Sequence, residues 1–220
     1  MPKAYVSWSS GKDSAFALHR ARQQGFEIAG VLTTLNEVYD RVAMHGVRHA
    51  LLDRQLAALG VPALKVLLPS PCPNAVYEAR METACARMKE EGVRHIVFGD
   101  LFLEDIRAYR IEKLASIGME PVFPLWGLNT SLLARQMIGD GLIAHLTCID
   151  PRKLPKALAG RRFDTSLLDE LPAGTDPCGE NGEFHTVVTA GPMFPAPIAV
   201  RRGETVEREG FVFTDFMPED

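Results

Sequence analysis

The stretch "VSWSSGKDSAFALHRARQQG" (residues 6–25) joins an apolar run to a helical pattern through a loop of small residues that contains one lysine. A strand that ends at Trp8 and a helix that starts near Asp13 would bring backbone N–H groups and the positive end of a helix dipole to one point. That point would bind anions. Ser10 and Asp13 also form a weak capping-box pattern, so a capped helix after a tight turn is the alternative interpretation.

Apolar runs alternate with amphipathic segments over the first half of the chain. Five of these runs are short and largely apolar, as strands buried on both faces should be: AYVSW (residues 4–8), IAGVLTTL (28–35), ALKVLL (63–68), HIVFG (95–99) and EPVFPL (120–125). The segments between them carry apolar stripes at helical spacing that end at Gly60, Gly92 and Gly118. We therefore predict the α/β class, with a five-stranded parallel sheet covered on both faces and wound through right-handed crossovers.

The character of the sequence changes after residue 126. LNTSLLARQMIGDGL (residues 128–142) predicts a helix and LIAHLTCID (142–150) a strand, but prolines and glycines then become frequent. EFHTVVTA (183–190) and GFVFTDF (210–216) are typical of antiparallel strands. We predict two units: residues 1–126 form the parallel-sheet domain, and residues 127–220 form a smaller α+β C-terminal subdomain.

Composition narrows the classes of partner. The chain has 220 residues and a formal net charge of -4, with its cations scattered among acids, which argues against nucleic acid as the main partner. No run reaches the roughly 18 apolar residues of a membrane span, and no signal peptide is apparent, so we expect a cytoplasmic protein. The four cysteines form no C-x-x-C pair. This excludes a zinc knuckle and predicts reduced thiols.

The loop SSGKDS (residues 9–14) lacks both the G-x-x-x-x-G-K-[ST] phosphate loop and G-x-G-x-x-G. It resembles instead the pyrophosphate loop (PP-loop) of the ATP pyrophosphatases, usually S-G-G-x-D-S, with Ser10 where the common pattern has glycine. MHGV (44–47), FGDLFLEDIRAYR (98–110) and DPCGENGEFHT (176–186) extend the likeness over nearly the whole chain. Together these stretches resemble the diphthine ammonia ligase family and its bacterial relatives.

The resemblance implies a sheet of the adenine nucleotide α hydrolase-like (HUP) type, with ATP across its carboxyl edge, where open α/β sheets bind ligands in general. Lys12 would act as a compact charge on the leaving phosphates. Asp100 closes the fourth predicted strand, where it could bind Mg2+ together with phosphates or simply cap the next helix. The implied nucleotide-binding residues are Ser9, Ser10, Gly11, Lys12, Asp13, Ser14, Thr33, Thr34 and Asp100, with Asp100 as the metal ligand.

Three regions supply candidates for binding the second substrate. Glu104 and Arg107 lie at i, i+3 on the helix after the fourth strand, where a surface ion pair is the alternative. In residues 176–186, a period of two puts Glu183 and His185 on one face. The candidates are His45, Glu104, Arg107, Arg110, Glu180, Glu183, His185 and Thr186. For residues 176–186, the alternatives are a metal site, a nucleophilic Cys178, and structural roles for Cys178 and His185. We interpret His49 as a helix residue with no role in the pocket.

The resemblance implies an AMP-forming ligase. With ATP and Mg2+, a substrate carboxylate would be adenylated with release of pyrophosphate, and ammonia would then displace AMP to give an amide. Lys12, Asp13 and Glu183 are the catalytic candidates, because charge on the leaving group must be stabilised and ammonia must lose a proton. Two alternatives stay open: a tRNA-modifying PP-loop enzyme, and a non-catalytic ATP-binding sensor module. A homodimer also stays open.

Overall fold

A computed structural model describes residues 1–219 as two sheets with helices around them. The first sheet contains β1 (Lys3–Ser7), β2 (Glu27–Asn36), β3 (Arg41–Val42), β4 (Ala63–Leu68), β5 (His95–Val97) and β6 (Glu120–Val122). Five of its strands are parallel, in the order β4-β2-β1-β5-β6. These are the five predicted strands, so the α/β prediction is confirmed.

The short strand β3 was not predicted. Strand β2 is paired with β1 only as far as Leu32, and Leu35 and Asn36 beyond it pair with Val42 and Arg41 of β3, antiparallel. Two residues are too few to show any alternation in the sequence. β3 therefore brings the segment that follows β2 back beside the carboxyl end of β1.

Six α-helices accompany the sheets: α1 (Lys12–Gln23), α2 (His49–Leu59), α3 (Asn74–Glu90), α4 (Glu104–Ala115), α5 (Thr130–Gly139) and α6 (Thr165–Glu170). The first four lie between successive parallel strands in the chain. Gly60, which follows α2, is left-handed with φ 65°, as expected for a helix that ends at a glycine. At the start of α1 the N-cap is Gly11 and no side chain caps the helix, so the capping-box interpretation is wrong.

The second sheet is antiparallel and has the order β8-β7-β10-β9. Its strands are β7 (Ile143–Ile149), β8 (Phe184–Ala190), β9 (Val200–Arg208) and β10 (Phe211–Pro218). The sequence predicted all of them except β9, whose VRRGETVER is mostly polar and mostly exposed. One continuous core connects the two sheets, because Phe16 and Leu18 of α1 belong to the same buried cluster as Leu146 and Val187. Helix α1 is thus an element shared by both sheets.

Two sequence expectations concern the whole chain. All four cysteines are free thiols, as predicted. Among residues 1–219, no helix is both long enough and apolar enough to cross a membrane.

The end of β5 packs directly on the first turn of α1 at Gly99. A Cβ added to Gly99 would lie 2.7 Å from the carbonyl carbon of Asp13 and 2.8 Å from the backbone nitrogen of Ser14. Backbone atoms cannot move aside as a flexible side chain can, so only glycine fits here. This contact fixes the distance between β5 and the loop before α1.

We predict that Gly99→Ala destabilises the protein by about 1–3 kcal/mol, as overpacking typically does, measured by urea denaturation. The matched control is Gly139→Ala at the end of α5, where no heavy atom lies within 4 Å of the added Cβ and alanine is the better helix former. Equal stability of the Gly99→Ala variant and the wild type would contradict the close approach.

Candidate nucleotide and substrate site

The loop between β1 and α1 is curled into a compact turn by its own serines. The backbone N–H of Ser9 donates to Ser14 Oγ (3.3 Å), and Ser14 Oγ donates to the carbonyl of Gly11 (3.0 Å). Ser10 is left-handed, with φ 68°, a conformation that glycine adopts more easily than serine. Ser10 is fully buried, and its Oγ has no hydrogen-bond partner within residues 1–219. The loop therefore keeps glycine-like backbone geometry at Ser10 and adds an unpartnered hydroxyl.

A buried glutamine on α2 fixes this loop to both sheets. Gln55 accepts a hydrogen bond from the indole of Trp8 (3.2 Å) and donates to the carbonyls of Ser10 (3.1 Å) and Val188 (2.7 Å). The backbone N–H of Val188 donates in turn to the Ser10 carbonyl (2.9 Å). Sequence reasoning missed Gln55. The signal that could have found it is a polar residue on the buried stripe of α2, because such a residue needs buried partners.

Lys12 is almost fully buried, with 2% of its surface exposed. Its amine donates to both carboxylate oxygens of Asp13 (2.8 and 3.0 Å) and to the carbonyl of Cys178, and it lies over the rings of Phe163 and Phe184. Burial lowers the pKa of Lys12, but its neighbours Asp13, Cys178 and Asp176 together outweigh burial, and the net shift is upward. The amine is therefore charged, and it lies against Phe163, Cys178 and Phe184 from the C-terminal part of the chain.

Two histidines lie beside the loop. His45 Nδ1 donates to the carbonyl of Thr186 (3.0 Å), and the rings of His45 and His185 are 4.7 Å apart. A Cβ on Gly11 would lie 2.6 Å from Cε1 of His45, so this position requires glycine as long as the histidine is in place. Burial lowers the pKa of His45 to about 3 and that of His185 to about 4. Both rings are therefore neutral at pH 7.

The acidic residues of the stretch 176–186 form their own hydrogen-bond network. Glu180 Oε1 accepts from the backbone N–H of Leu101 (2.8 Å), and the N–H of Glu180 donates to Asp176 (2.8 Å). Burial raises the pKa of Glu180 to about 7. Glu183 is buried, accepts from the N–H of Asp176 (3.1 Å) and from Asn181 (3.2 Å), and keeps one oxygen without a partner within residues 1–219. Glu183 thus organises the loop that carries Glu180.

The residues predicted after the fourth parallel strand are divided between the protein interior and the surface. Both oxygens of Asp100 accept from Arg110 (2.6 and 3.1 Å), whose guanidinium also lies over the ring of Phe98. Arg107 lies over Trp126 (4.8 Å to the ring centre). Glu104 is exposed and 3.9 Å from Arg107, the geometry of the surface ion pair given above as the alternative.

Thr33, in the carboxyl half of β2, is buried, and its Oγ1 has no partner within the described chain. The carbonyl of the next predicted residue, Thr34, accepts from the N–H of Ala43 (3.1 Å). Among residues 1–219, no group of three or more His, Cys, Asp or Glu side chains is arranged to hold a metal ion. An ion such as Mg2+ that takes most of its ligands from phosphates and water does not need such a group.

Cys178 contributes its backbone rather than its thiol. Its carbonyl accepts from Lys12, and its Sγ donates to the carbonyl of Thr130 (3.5 Å). Burial raises the pKa of this thiol, so almost no thiolate is present at neutral pH. A buried thiol in this state is a poor nucleophile, which favours the packing role given above.

We predict that acid destabilises the protein through His45 and His185. A histidine whose pKa is lowered by folding contributes stability that is fully present above its unfolded pKa near 6.5 and is lost as the pH falls towards the folded value. Each such group can change the free energy of unfolding by at most about 1.4 kcal/mol per pH unit. His185→Gln should therefore flatten the fall in unfolding free energy between pH 7 and pH 5, measured by urea denaturation. The control is His49→Gln on α2, and an unchanged slope for His185→Gln would contradict the prediction.

Comparison with known proteins assigns the chain to a family. The family model for the diphthamide synthase N-terminal domain matches residues 2–121, and the model for the diphthamide synthase C-terminal domain matches residues 129–216. A predicted subunit of tRNA methyltransferase from Methanocaldococcus jannaschii, a solved structure, is similar with TM-score 0.41 and 14% identity, over 66% of this chain and 80% of that one. No curated protein matches. Because the two family models cover nearly all of the sequence, the chain belongs to the diphthamide synthase family, and the resemblance to diphthine ammonia ligases is confirmed.

Proposed function

We propose that this protein is an ATP-dependent ligase that joins ammonia to a substrate carboxylate and releases AMP and pyrophosphate. Its family implies an enzyme that uses ATP. The observation that carries the finer proposal is the loop before α1, where a left-handed Ser10 and a glycine with no room for a side chain lie at the start of a helix. A phosphate that took the place of the His45 ring beside Gly11 would approach the backbone closely, in the field of the helix dipole.

The residues around the loop fit a nucleotide. Ser10 Oγ and Thr33 Oγ1 are buried hydroxyls without partners in the described chain, and a buried hydroxyl is stabilised by a ligand that bonds to it. We assign residues 9–14 to the phosphates, and Thr33 and Thr34 to the adenine side. Asp100 would hold Mg2+, which when bound neutralises charge on the phosphates. Arg110 keeps the Asp100 carboxylate in one orientation.

The proposed reaction has two steps. A carboxylate oxygen of the substrate bonds to the α-phosphorus of ATP, and the bond from that phosphorus to the bridging oxygen breaks, so pyrophosphate leaves with the electron pair. The nitrogen of ammonia then bonds to the acyl carbon, AMP leaves with its electron pair, and the nitrogen loses a proton. Both steps are displacements that need charge stabilisation and one proton acceptor.

The chain supplies these two requirements from groups that meet at the loop. We assign Lys12 to the leaving pyrophosphate. In this structure the Lys12 amine donates to both oxygens of Asp13. When ATP binds, a phosphate oxygen would replace Asp13 as its partner. We assign Glu180 as the acceptor of the proton that the attacking nitrogen loses. A carboxyl with a pKa of about 7 can both take up and release a proton at neutral pH. Glu183 would position Glu180 through the loop that the two residues share.

The second substrate is assigned to the C-terminal part of the chain. We propose that residues 1–126 bind ATP and that residues 127–220 bind the carboxylate substrate, with His185 and Thr186 nearest the loop. His45 from the first unit would complete this surface. Arg107, which lies over Trp126, would bind an anionic group of the substrate. Glu104 would contact the substrate from its exposed position on α4.

We predict that pyrophosphate is released from ATP and Mg2+ only when a cell extract supplies the second substrate, and that Lys12→Ala lowers the rate by at least about a hundredfold, the scale of a lost charge at a transition state. Release is measured with a coupled phosphate assay. Lys113→Ala, which removes an exposed lysine paired with Glu78, is the control for charge. Melting temperatures are measured in parallel, because Lys12→Ala also leaves Asp13 without its partner.

The same assay separates the alternative functions. A shift in melting temperature with ATP, but no pyrophosphate from any extract fraction, would favour the sensor module over the ligase. Release that depends on the RNA fraction and disappears with ribonuclease would favour a tRNA-modifying enzyme. Release that requires both a small-molecule or protein fraction and ammonium would support the ligase.

We predict that amide formation rises with pH through about 7, because Glu180 must be ionised to accept a proton. Glu180→Gln should keep extract-dependent pyrophosphate release but lose incorporation of ¹⁵N-ammonium, and its remaining activity should lack the inflection near pH 7. The control is Glu112→Gln on the exposed side of α4. If Glu180→Gln incorporates nitrogen with the wild-type pH profile, Glu180 is not the proton acceptor.

A further inference from the structure

A cavity of about 470 Å3 lies between one face of the antiparallel sheet and the segment that follows β2. Its volume falls within the range of small-molecule sites. The segment forms the roof, with Tyr39, Val42 and Met44 among its lining residues. Arg41 and Arg48 of the same segment both bond to Asp215 of β10 (2.9 Å for Arg41 Nη1; 2.7 Å for Arg48 Nε). The roof is thus tied to the sheet by charged hydrogen bonds.

The floor of the cavity is a row of four side chains, one from each strand of the sheet. His185 on β8 pairs with Cys148 on β7, Cys148 pairs with Phe213 on β10, and Phe213 pairs with Val206 on β9. All four line the cavity. Paired residues of antiparallel strands lie about 4.8 Å apart, so three spacings give a row roughly 14 Å long.

Polar side chains lie at both ends of this part of the cavity, His185 on β8 and Arg208 on β9, whereas the residues between them are less polar. The side chain of His185 makes no hydrogen bond within residues 1–219 and is half-buried. Arg208 lies two residues along β9 from Val206 and is exposed; its guanidinium is 5.2 Å from the ring of Tyr39, and it has no ion pair in the described chain. Between them lie Phe213 and Val206. Met44 and Val206 are exposed (76% and 42%), so apolar surface faces solvent here with nothing covering it.

The His185 end of the row leads to the nucleotide loop. The ring of His185 lies 4.7 Å from that of His45, and His45 is in contact with Gly11 at the start of α1. A ligand in the cavity would therefore reach the loop through the two neutral histidines. The lining has three acidic residues: Asp215 is paired with Arg41 and Arg48, and Glu204 and Glu209 are exposed, so solvent screens the charges of these two.

We propose that this cavity binds the carboxylate substrate of the ligase: an acid with an apolar body about 10–14 Å long, its reacting carboxylate at His185 and a second anionic group at Arg208. The proposal rests on the proposed function, because the reacting group is taken to be a carboxylate. The apolar row binds the body of the molecule, and the two unpaired polar residues select its ends. Whether the acid is a free metabolite or a side chain of a protein, the chemistry that the cavity recognises is the same.

Binding can be tested without the true substrate by using 1,4-phenylenedipropionate, with 3-phenylpropionate and 3-phenylpropionamide as comparison probes, in calorimetry or ligand-observed NMR. We expect the diacid to bind most tightly and the amide most weakly. Val206→Trp, which places a bulky ring in the cavity at the β9 end of the row, should abolish binding of the diacid. Arg208→Gln should weaken the diacid about tenfold, equivalent to roughly 1.4 kcal/mol, and leave 3-phenylpropionate unchanged.

The matched controls are Arg201→Trp and Arg201→Gln, on the same strand as Val206 and Arg208 but outside the cavity, at an exposed position. Both should bind the probes like the wild type, and all variants should melt within a few degrees of it. Diacid binding that survives Val206→Trp, or no binding by the wild type at millimolar diacid, would overturn the cavity assignment.

Activity then separates this inference from the proposed function. With an extract that supports pyrophosphate release, Arg208→Gln should need about tenfold more extract for the half-maximal rate, with the maximal rate and the ATP-induced melting shift unchanged. Release that Val206→Trp leaves at the wild-type level would overturn the cavity and leave the ligase standing. Probe binding in the cavity without release from any extract fraction would overturn the ligase, and with it the identity of the proposed occupant.

Discussion

The docking of strand β8 on the loop before α1 is the constraint on which the rest of the site depends. The backbone N–H of Lys12 donates to Thr186 Oγ1 (3.1 Å), and the N–H of Val188 donates to the carbonyl of Ser10 (2.9 Å). A helix leaves its first N–H groups without partners inside the helix, so β8 supplies one from outside. The left-handed Ser10 is held between these two bonds. The loop of residues 9–14 therefore has its shape only when the antiparallel sheet is in place.

This docking also explains why a lysine can be buried at the loop. A buried ammonium group requires a charge partner and hydrogen-bond acceptors to offset its desolvation, and Lys12 has Asp13 and the Cys178 carbonyl. The surrounding field is nevertheless acidic, since Asp13 and Asp100 both raise the pKa of Glu180 after burial has done so. The acidic residues here outnumber Lys12, whose charge is already paired with Asp13. Such a site favours a nucleotide bound together with a cation over a nucleotide alone.

The sequence predicted the elements whose signal is local and periodic. The five parallel strands and the helices ending at Gly60, Gly92 and Gly118 follow from apolar runs and glycine stops, and the loop of residues 9–14 stands out by composition. Strand β9 escaped because an edge strand with both faces largely in water carries no alternation of apolar and polar residues. The sequence did not predict hydrogen-bond partners that are distant in the chain, for a different reason. Nothing in the residues around Gln55 reveals that it bonds to Trp8 and Val188, because these contacts exist only after both sheets have packed on α1.

The segment between β2 and α2 connects the two halves of the site. Its His45 packs against Gly11 of the loop of residues 9–14, its other residues form the roof of the cavity, and its Arg41 and Arg48 bond to Asp215 on β10. Its own regular structure is limited to the two residues of β3, so its position depends on these contacts rather than on a long ladder of backbone bonds. A ligand that packs under the roof would press on the same segment that sets His45 against Gly11. One short stretch of chain therefore forms the roof of the cavity and also packs against Gly11 at the start of α1.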